Sequence, residues 1–386
     1  MHAKRLHSFC FFFMKRAIVS DLLGIINKNF SFALAEEWDN VGLQVGDHAA
    51  SVKRVMIALD PLPDVVELAI ASNCQLLLTH HPLIFSPLRQ VTSSTTTGRL
   101  VLKAAAAGLA VAAMHTNYDI ASGGLNDLLA KRLGLESVNP LKVTGHDELL
   151  KLVVFVPVTV LEPFRQSMFE YAESVGNYRD CSFSVDGEGT FLPLHGARPA
   201  TGRVGVLEKT SEARLELIVR RERLSSAIKG LIKAHPYEEP AFDCYPLINR
   251  GNDYGLGRIG TLATPVSLAE YSAFVKKQLG CSFLRTVGDL SRAVSRIALC
   301  SGSGGTLLRD AVRAGADLLV TGDLKYHEAR EAEASGLAMI DAGHFATERI
   351  MVSAVQSLLQ ETASVAGYNL EVVAAEIEQD PFIPVF

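Results

Sequence analysis

The 386-residue chain has no apolar run long enough to span a bilayer, no long block of like charge and a single tryptophan. Without a span, no helical membrane anchor is expected and the chain reads as soluble. Lysine and arginine number 37 against 42 aspartates and glutamates, a net charge of −5, so bulk charge gives no reason to expect a nucleic-acid partner. Its six cysteines, Cys10, Cys74, Cys181, Cys244, Cys281 and Cys300, show no CxxC spacing and sit mostly in apolar runs. They read as reduced thiols of a cytoplasmic protein. Lys4 and Arg5 ahead of Phe9-Cys10-Phe11-Phe12-Phe13 imitate a signal sequence, but the apolar patch is too short and no small-residue cleavage site follows. Residues 1–13 are therefore expected to be an extension, with the folded chain starting at Met14.

The length suffices for two or three domains with ample cores. Within it, Leu76-Leu77-Leu78-Thr79-His80-His81-Pro82 stands out. Three leucines leading into Thr79 predict a short buried strand, and Pro82 denies it the next ladder donor, so the chain leaves the sheet at the histidines. Around this strand the chain alternates. A helix is expected from Ser20, a strand over Val55–Asp60, a helix over Asp64–Ser72, a polar loop over Val91–Gly98, a helix around Val101–Ala107, and a strand over Leu109–Met114 that ends in His115-Thr116-Asn117-Tyr118-Asp119. Strands alternating with helices imply a largely parallel sheet, with a ligand crevice at its carboxyl edge. His80, His81, His115 and Asp119 all fall at that edge. The segment Glu36-Glu37-Trp38-Asp39-Asn40-Val41-Gly42-Leu43 reads as a turn anchored by a buried Trp38 ring; the alternative is that Asp39 or Asn40 lines the site.

The C-terminal part repeats the order. Arg296–Cys300 and Ala316–Thr321 are expected strands around a helix over Thr306–Ala314, and Gly336–Asp341 is a strand ending in Ala342-Gly343-His344-Phe345-Ala346-Thr347-Glu348. Leu76-Leu77-Leu78-Thr79 parallels Leu318-Leu319-Val320-Thr321, and Gly108-Leu109-Ala110 parallels Gly336-Leu337-Ala338. Two related αβ halves, 14–147 and 251–386, are expected to face each other through their strand ends. His344 and Glu348, four apart at the start of a helical pattern, would share one helix face. His80, His81, Asp119, His344 and Glu348 then supply three imidazoles and two carboxylates. That donor set suits two divalent ions about 3.5 to 4 Å apart, and Zn, Mn, Fe or Co would all accept it.

Residues 148–250 have a different character. A strand over Leu150–Val156, a helix over Leu161–Val175, a hairpin at Gly187-Glu188-Gly189-Thr190-Phe191, a strand over Ala213–Val219, a helix over Leu224–His235 and a closing edge strand predict an inserted ferredoxin-like α+β domain. His235-Pro236-Tyr237-Glu238-Glu239-Pro240 reads as a rigid proline-bounded loop rather than a second metal site.

These motifs together resemble the dinuclear-metal hexameric family of GTP cyclohydrolase I type 2 homologues, also called NGG-one-interacting-factor-three-like proteins. The resemblance rests on Trp38-Asp39-Asn40-Val41-Gly42-Leu43, Thr79-His80-His81-Pro82, His115-Thr116-Asn117-Tyr118-Asp119, Thr321-Gly322-Asp323-Leu324-Lys325-Tyr326-His327 and Asp341-Ala342-Gly343-His344 with Glu348. Gly176-Asn177-Tyr178, Gly189-Thr190-Phe191 and Ala234–Pro240 resemble the version with a PII- or CutA-like insertion. The resemblance runs from Met14 to the end. It implies a homohexamer with metal ligands at the five positions already reached, and a nucleotide or other small-molecule substrate.

A hydrolase of this kind would supply hydroxide from metal-bound water, which for GTP would attack C8 of the purine. His115 is the candidate for handling protons, with His327 second, and either could instead orient a ligand. Lys325 is expected to be solvated, and Ser301-Gly302-Ser303-Gly304-Gly305 to be a glycine turn rather than a phosphate cradle. The alternatives are a hydrolase of another phosphate-containing substrate and a non-catalytic metal-binding or metabolite-sensing ring.

Overall fold

The computed structural model describes residues 15–385. The expected extension, residues 1–13, the proposed start at Met14 and Cys10 lie outside the described residues. The chain divides into two compact units: one combines the chain up to Val143 with the chain from Gly255 onward, and the other is Thr144–Tyr254.

In the first unit, one five-stranded sheet is built from β1 (Gly42–Val45), β2 (Arg54–Ala58), β3 (Leu76–Thr79) and β4 (Ala110–Ala113), joined by a strand from the far end of the chain. β2, β3 and β4 run parallel, and β1 is an antiparallel edge. The apolar runs are continuous because both faces are covered. Val55, Ile57, Leu76, Leu78, Ala110 and Ala112 face one core; Met56, Ala58, Leu77 and Val111 face another. α1 (Val19–Asn29) buries Val19, Leu22, Leu23 and Ile26, the stripe of an amphipathic helix, on the first core. α2 (Pro63–Ala71), with proline at its start, and α3 (Thr96–Ala106) cover the second. After β4 come α4 (Thr116–Ile120) and α5 (Leu125–Arg132).

The long strands β5 (Glu136–Pro157) and β8 (Phe242–Ser267) lead out of this unit and back. Between them lie α6 (Leu161–Met168), β6 (Ser182–Phe191), β7 (Glu208–Arg220) and α7 (Leu224–Ala234). Within the second unit the strand order is β8-β5-β7-β6 with both helices on one core, which is the expected ferredoxin-like arrangement. Two expectations fail here. The helix from Leu161 stops at Met168 instead of Val175, because the following chain turns to bond β7, Glu173 donating its backbone N–H to Ile218 O at 2.8 Å. Gly187–Phe191 is no hairpin: Ser182–Phe191 is one strand paired antiparallel with β7 throughout. The glycines make room rather than a turn, since a Cβ on Gly189 would stand 2.2 Å from a Glu212 oxygen.

The returning chain builds the other half of the first unit. α8 (Leu268–Leu279), β9 (Arg285–Val287), β10 (Ala293–Ser303), α9 (Leu308–Arg313), β11 (Leu318–Gly322), α10 (Tyr326–Ser335), β12 (Ala338–Asp341), α11 (His344–Glu348), α12 (Ile350–Val365) and β13 (Glu371–Ala374) follow in order. β10, β11 and β12 are parallel, with β9 and the end of β8 as antiparallel flanks. The repeat is therefore real in architecture, but the halves are not self-contained. α12 places Met351, Val352, Val355 and Leu359 on the first half's core, and β13 joins the first half's sheet alongside β2. Reciprocally, α5 places Leu129, Ala130 and Leu133 against Ile297, Leu299, Leu318 and Val320 of the second half. Each half lends the other a helix from beyond its third parallel strand. Among the described residues no helix is long and apolar enough to cross a membrane.

Candidate metal centre

The exchange brings the carboxyl edges of the two sheets together, and the chemistry-bearing residues collect there. β3 ends at Thr79, but the ladder persists in altered form: His80 N–H donates to Ala58 O at 3.2 Å and His81 N–H to Leu59 O at 3.0 Å. Both imidazoles are thereby fixed on backbone that is tied to the neighbouring strand. His115 leads from β4 into α4, and His344 opens α11 one residue after Gly343, whose φ of 86° lets the chain turn sharply out of β12.

Each of these four histidines gives its Nδ1 to an oxygen that can only accept. His80 meets Met114 O at 2.9 Å, His81 meets Asp60 Oδ1 at 2.7 Å, His115 meets Asp39 Oδ1 at 2.9 Å and His344 meets Asp323 Oδ2 at 2.7 Å. A carbonyl or carboxylate partner requires the proton on Nδ1, which leaves Nε2 of a neutral ring as a free lone pair. Oxygen acceptors behind the rings are the usual orienting partners of metal-binding histidines.

The Nε2 atoms converge on Glu348, whose side chain is buried in α11. Its Oε2 lies 3.1 Å from His81 Nε2 and 3.0 Å from His344 Nε2, while its Oε1 lies 3.7 Å from His80 Nε2. Asp119 Oδ1 is 3.8 Å from the same His80 nitrogen. His80 Nε2 and Glu348 Oε2 are sealed from solvent without a well-directed hydrogen bond. Buried atoms of this kind are costly unless something else satisfies them. Donors held at about 2.0–2.2 Å by one ion, at angles near 90–110°, are roughly 3.0–3.6 Å apart. His81, His344 and one Glu348 oxygen fit that spacing, and His80, Asp119 and the other Glu348 oxygen come close to it. The residues present therefore suit a bound cation. One donor group is His81, His344 and Glu348; another is His80, His81 and His115.

Burial works against charge on His81, yet its hydrogen bond to Asp60 and the adjacent Glu348 carboxylate hold its pKa at about 10. Glu348, then Asp323, raise His344 to about 9 against partial burial. His80 is likewise raised by Asp119 and Glu348 despite complete burial. Glu348 is driven well below the usual carboxylate range by the surrounding histidines, although its burial opposes this, whereas burial pushes Asp119 upward. Asp39 falls to about 2, its burial outweighed by hydrogen bonds from His115 and Thr116. A cluster of buried carboxylates and imidazoles with displaced affinities marks a functional site.

The five residues named as ligands from sequence are thus brought together, and His115 stands beside them, its ring centroid 5.2 Å from His80 and 5.5 Å from His81. His327 does not join them. It is exposed on the first turn of α10, with its ring against Tyr326 at 5.5 Å, because the chain after β11 turns away at Asp323 before the helix begins. Trp38 also departs from expectation: its ring is 57% exposed and anchors nothing in a core. The turn is held instead by Asp39, which takes His115 Nδ1 and the Thr116 N–H at 3.0 Å, so the alternative weighed for Asp39 is the one this geometry favours.

Three amides of the Ser301–Gly305 turn are already engaged within the protein. Ser301 N–H goes to Asn126 Oδ1, Gly302 N–H to Thr347 Oγ1 and Gly304 N–H to Thr321 Oγ1. Its glycines serve another end, since a Cβ on Gly302 would lie 2.1 Å from Glu348 Oε1. Asp60, Asp323 and Gly302 received no role from sequence. The usable signal for the two aspartates was their position just past the carboxyl ends of parallel strands. Beside His344 opens a cavity of about 280 Å³ that includes Asp323, Arg285 and Phe382.

The geometry is that of an oxygen- and imidazole-lined cation site between two αβ halves. In comparison with known proteins, the profile of the Duf34/NIF3 (NGG1p interacting factor 3) family matches residues 17–381, and the chain belongs to that family. A relative from Halalkalibacterium halodurans named "GTP cyclohydrolase 1 type 2 homolog" is 40% identical over 351 residues, covering 91% of this chain and 94% of the relative. The crystal structure of a Bacillus cereus protein related to NIF3 superposes with a TM-score of 0.86 at 38% identity, covering 96% of this chain and all of that one. A Staphylococcus aureus protein superposes at 0.70 with 30% identity and the same coverage.

Proposed function

We propose that the chain is a hydrolase dependent on two divalent cations, acting on GTP or a related nucleotide, with His80, His81, Asp119, His344 and Glu348 as the metal ligands. The observation that carries this is the pair of Glu348 oxygens, each flanked by imidazole Nε2 atoms whose Nδ1 protons are committed elsewhere. Cations there would supply Lewis acidity and a water acidified to near neutral pH. The chain supplies the rest. Asp60, Asp323 and Met114 O hold the ligand rings in one tautomer. His115, oriented by Asp39, presents its free nitrogen within reach of the ligand cluster and is the group placed to take or return a proton. The relatives' shared name supports nucleotide chemistry at this site. A homohexameric assembly and a cytoplasmic setting belong to the same proposal, the latter supported by free Cys74, Cys181, Cys244, Cys281 and Cys300.

The test is elemental analysis of untagged protein followed by GTP turnover. About two equivalents of metal per chain, with ring-opened product lost on chelation and in His80→Ala, would support the enzyme. Metal content well below one equivalent that cannot be raised by loading would sink it.

A second reading, a metabolite-sensing protein, has one observation behind it. The Thr144–Tyr254 unit holds a cavity of about 370 Å³, larger than the one beside His344, with Phe155, Phe191, Glu212 and Tyr237 in its wall. Saturable binding confined to that unit, with no turnover of any nucleotide, would favour it.

A further inference from the structure

Trp38 and Phe85 are large aromatic side chains left 57% and 55% exposed, and they stand next to each other with ring centroids 5.7 Å apart. Scattered exposed apolar residues need no explanation, but this pair is neither scattered nor loose. Asn40 donates its side-chain N–H to Ile84 O at 2.6 Å, and Gln44 Oε1 accepts Ile84 N–H at 3.0 Å. The residue before Phe85 is therefore pinned to the segment that carries Trp38. Asp39, between Trp38 and Asn40, is fixed on His115 and Thr116, and Glu36 N–H donates to Thr116 Oγ1 at 3.0 Å. Every member of Trp38-Asp39-Asn40 but the indole is occupied in building the loop.

The two rings are inclined at 48°, so neither covers the other's face. Both border the candidate metal centre through one residue: the His115 ring lies 6.0 Å from Trp38 and 6.5 Å from Phe85, edge-on to each. Rigid aromatic faces of this kind bind flat ligands at small entropic expense, as base-stacking platforms do.

We propose that Trp38 and Phe85 form a platform on which the purine ring of the substrate stacks, delivering the ring to His115 and the metal centre. The proposal rests on reading that centre as a nucleotide site and assigns the residues that recognise the base. The occupant is a flat heteroaromatic ring rather than a peptide or a second copy of the chain, because the pair abuts the reactive cluster and its loop is tied to a cluster histidine.

Trp38 is the only tryptophan, so all indole emission reports on this position. Full-length protein, chelated and metal-loaded, is titrated with GMP and, as a ringless control, ribose 5-phosphate. GMP is expected to quench Trp38 saturably in both forms, the control to leave it unchanged, and Phe85→Leu to weaken the GMP response by about 5- to 150-fold, the span seen when base-stacking aromatics are replaced. Equal responses to the control, an unaltered Phe85→Leu titration, or emission of a buried indole that reddens only when the assembly is diluted apart would each overturn the proposal; the last would make the pair a subunit contact. Failures separate cleanly. Quenching by GMP without any turnover would leave the platform standing and remove the hydrolase. Turnover of GTP with unchanged KM in Trp38→Leu would do the reverse.

Discussion

His81 Nε2 and His344 Nε2 lie 3.3 Å apart, and each reaches the same Glu348 oxygen. One imidazole comes from each half of the repeat, 263 residues apart in the chain. Both rings have raised proton affinities, so a cation binding there would displace their protons.

Uptake of metal at pH 7 is therefore expected to release protons, about two per pair of imidazoles, because ligation needs neutral nitrogens. Calorimetric titration in two buffers of different ionisation enthalpy measures the number. Affinity should climb with pH from 7 toward 9, where His344 loses its proton. The same shifts act on stability with a definite sign. The affinity of His81 is raised from 6.5 to about 10, so its contribution to the metal-free fold is fully present below pH 6.5 and fades as pH rises to about 10. Thermal melting of chelated protein across that window should show a falling Tm. A flat profile would contradict the assigned carboxylate contacts.

Glu348→Gln keeps the shape but removes the shared charge. If the proposed pair of cations shares Glu348, metal content should fall from about two equivalents to below one, since both would lose that oxygen ligand. In the chelated protein the same variant should titrate differently: without the Glu348 carboxylate beside it, His344 loses the charge that chiefly raises it, and its NMR-detected pKa should drop toward 6.5. An unchanged value would mean that Asp323 alone sets it.

Much of this site was legible in the sequence for a simple reason. Parallel strands buried on both faces read as unbroken apolar runs, so His80, His81, Asp119, His344 and Glu348 were found by looking just past the end of each run. The residues that escaped depend on the other half of the molecule or on distant turns. Asp39, Asp60 and Asp323 each meet a histidine 21 or more residues away, and neither a turn nor a strand end names that partner in advance. The exchange of α5 and α12 leaves no local trace either, because an amphipathic stripe does not say which sheet it will cover. Trp38 was placed inside because indoles usually are, yet its neighbours fix the loop and leave the ring outside.

Gly302 offers a controlled test of how tightly the centre is packed. Its φ is 57°, and a methyl group there would collide with Glu348 Oε1 and approach His344 Cε1 at 3.2 Å. Gly302→Ala should lose metal and also destabilise the fold, whereas Gly315→Ala, with φ of 70° and open space around it, carries only the backbone penalty of about 1–3 kcal/mol. Denaturant melts and elemental analysis of both variants separate the two effects. Retained metal in Gly302→Ala would show that Glu348 can shift without leaving the site.

The joint between the halves has its own fixed point in Arg258, 2% exposed on β8. Its Nε meets Asp127 Oδ1 at 2.6 Å and its Nη2 meets Oδ2 at 3.0 Å, while its other hydrogen bonds go to the carbonyls of Gly255, Gly257, Ile120 and Ala121. Asp127 lies on α5, the helix that the first half lends to the second, so this bidentate pair locks the exchange. Arg258→Ala leaves the partly exposed Asp127 carboxylate and several buried carbonyls without their donor, and is expected to cost about 1–3 kcal/mol. Arg258→Lys should recover little, because an ammonium cannot reproduce the planar fork that serves one carboxylate and four carbonyls at once. Urea titrations of both variants decide it. Recovery of most of the stability by lysine would show that charge alone, and not the fork, holds α5 on the second sheet.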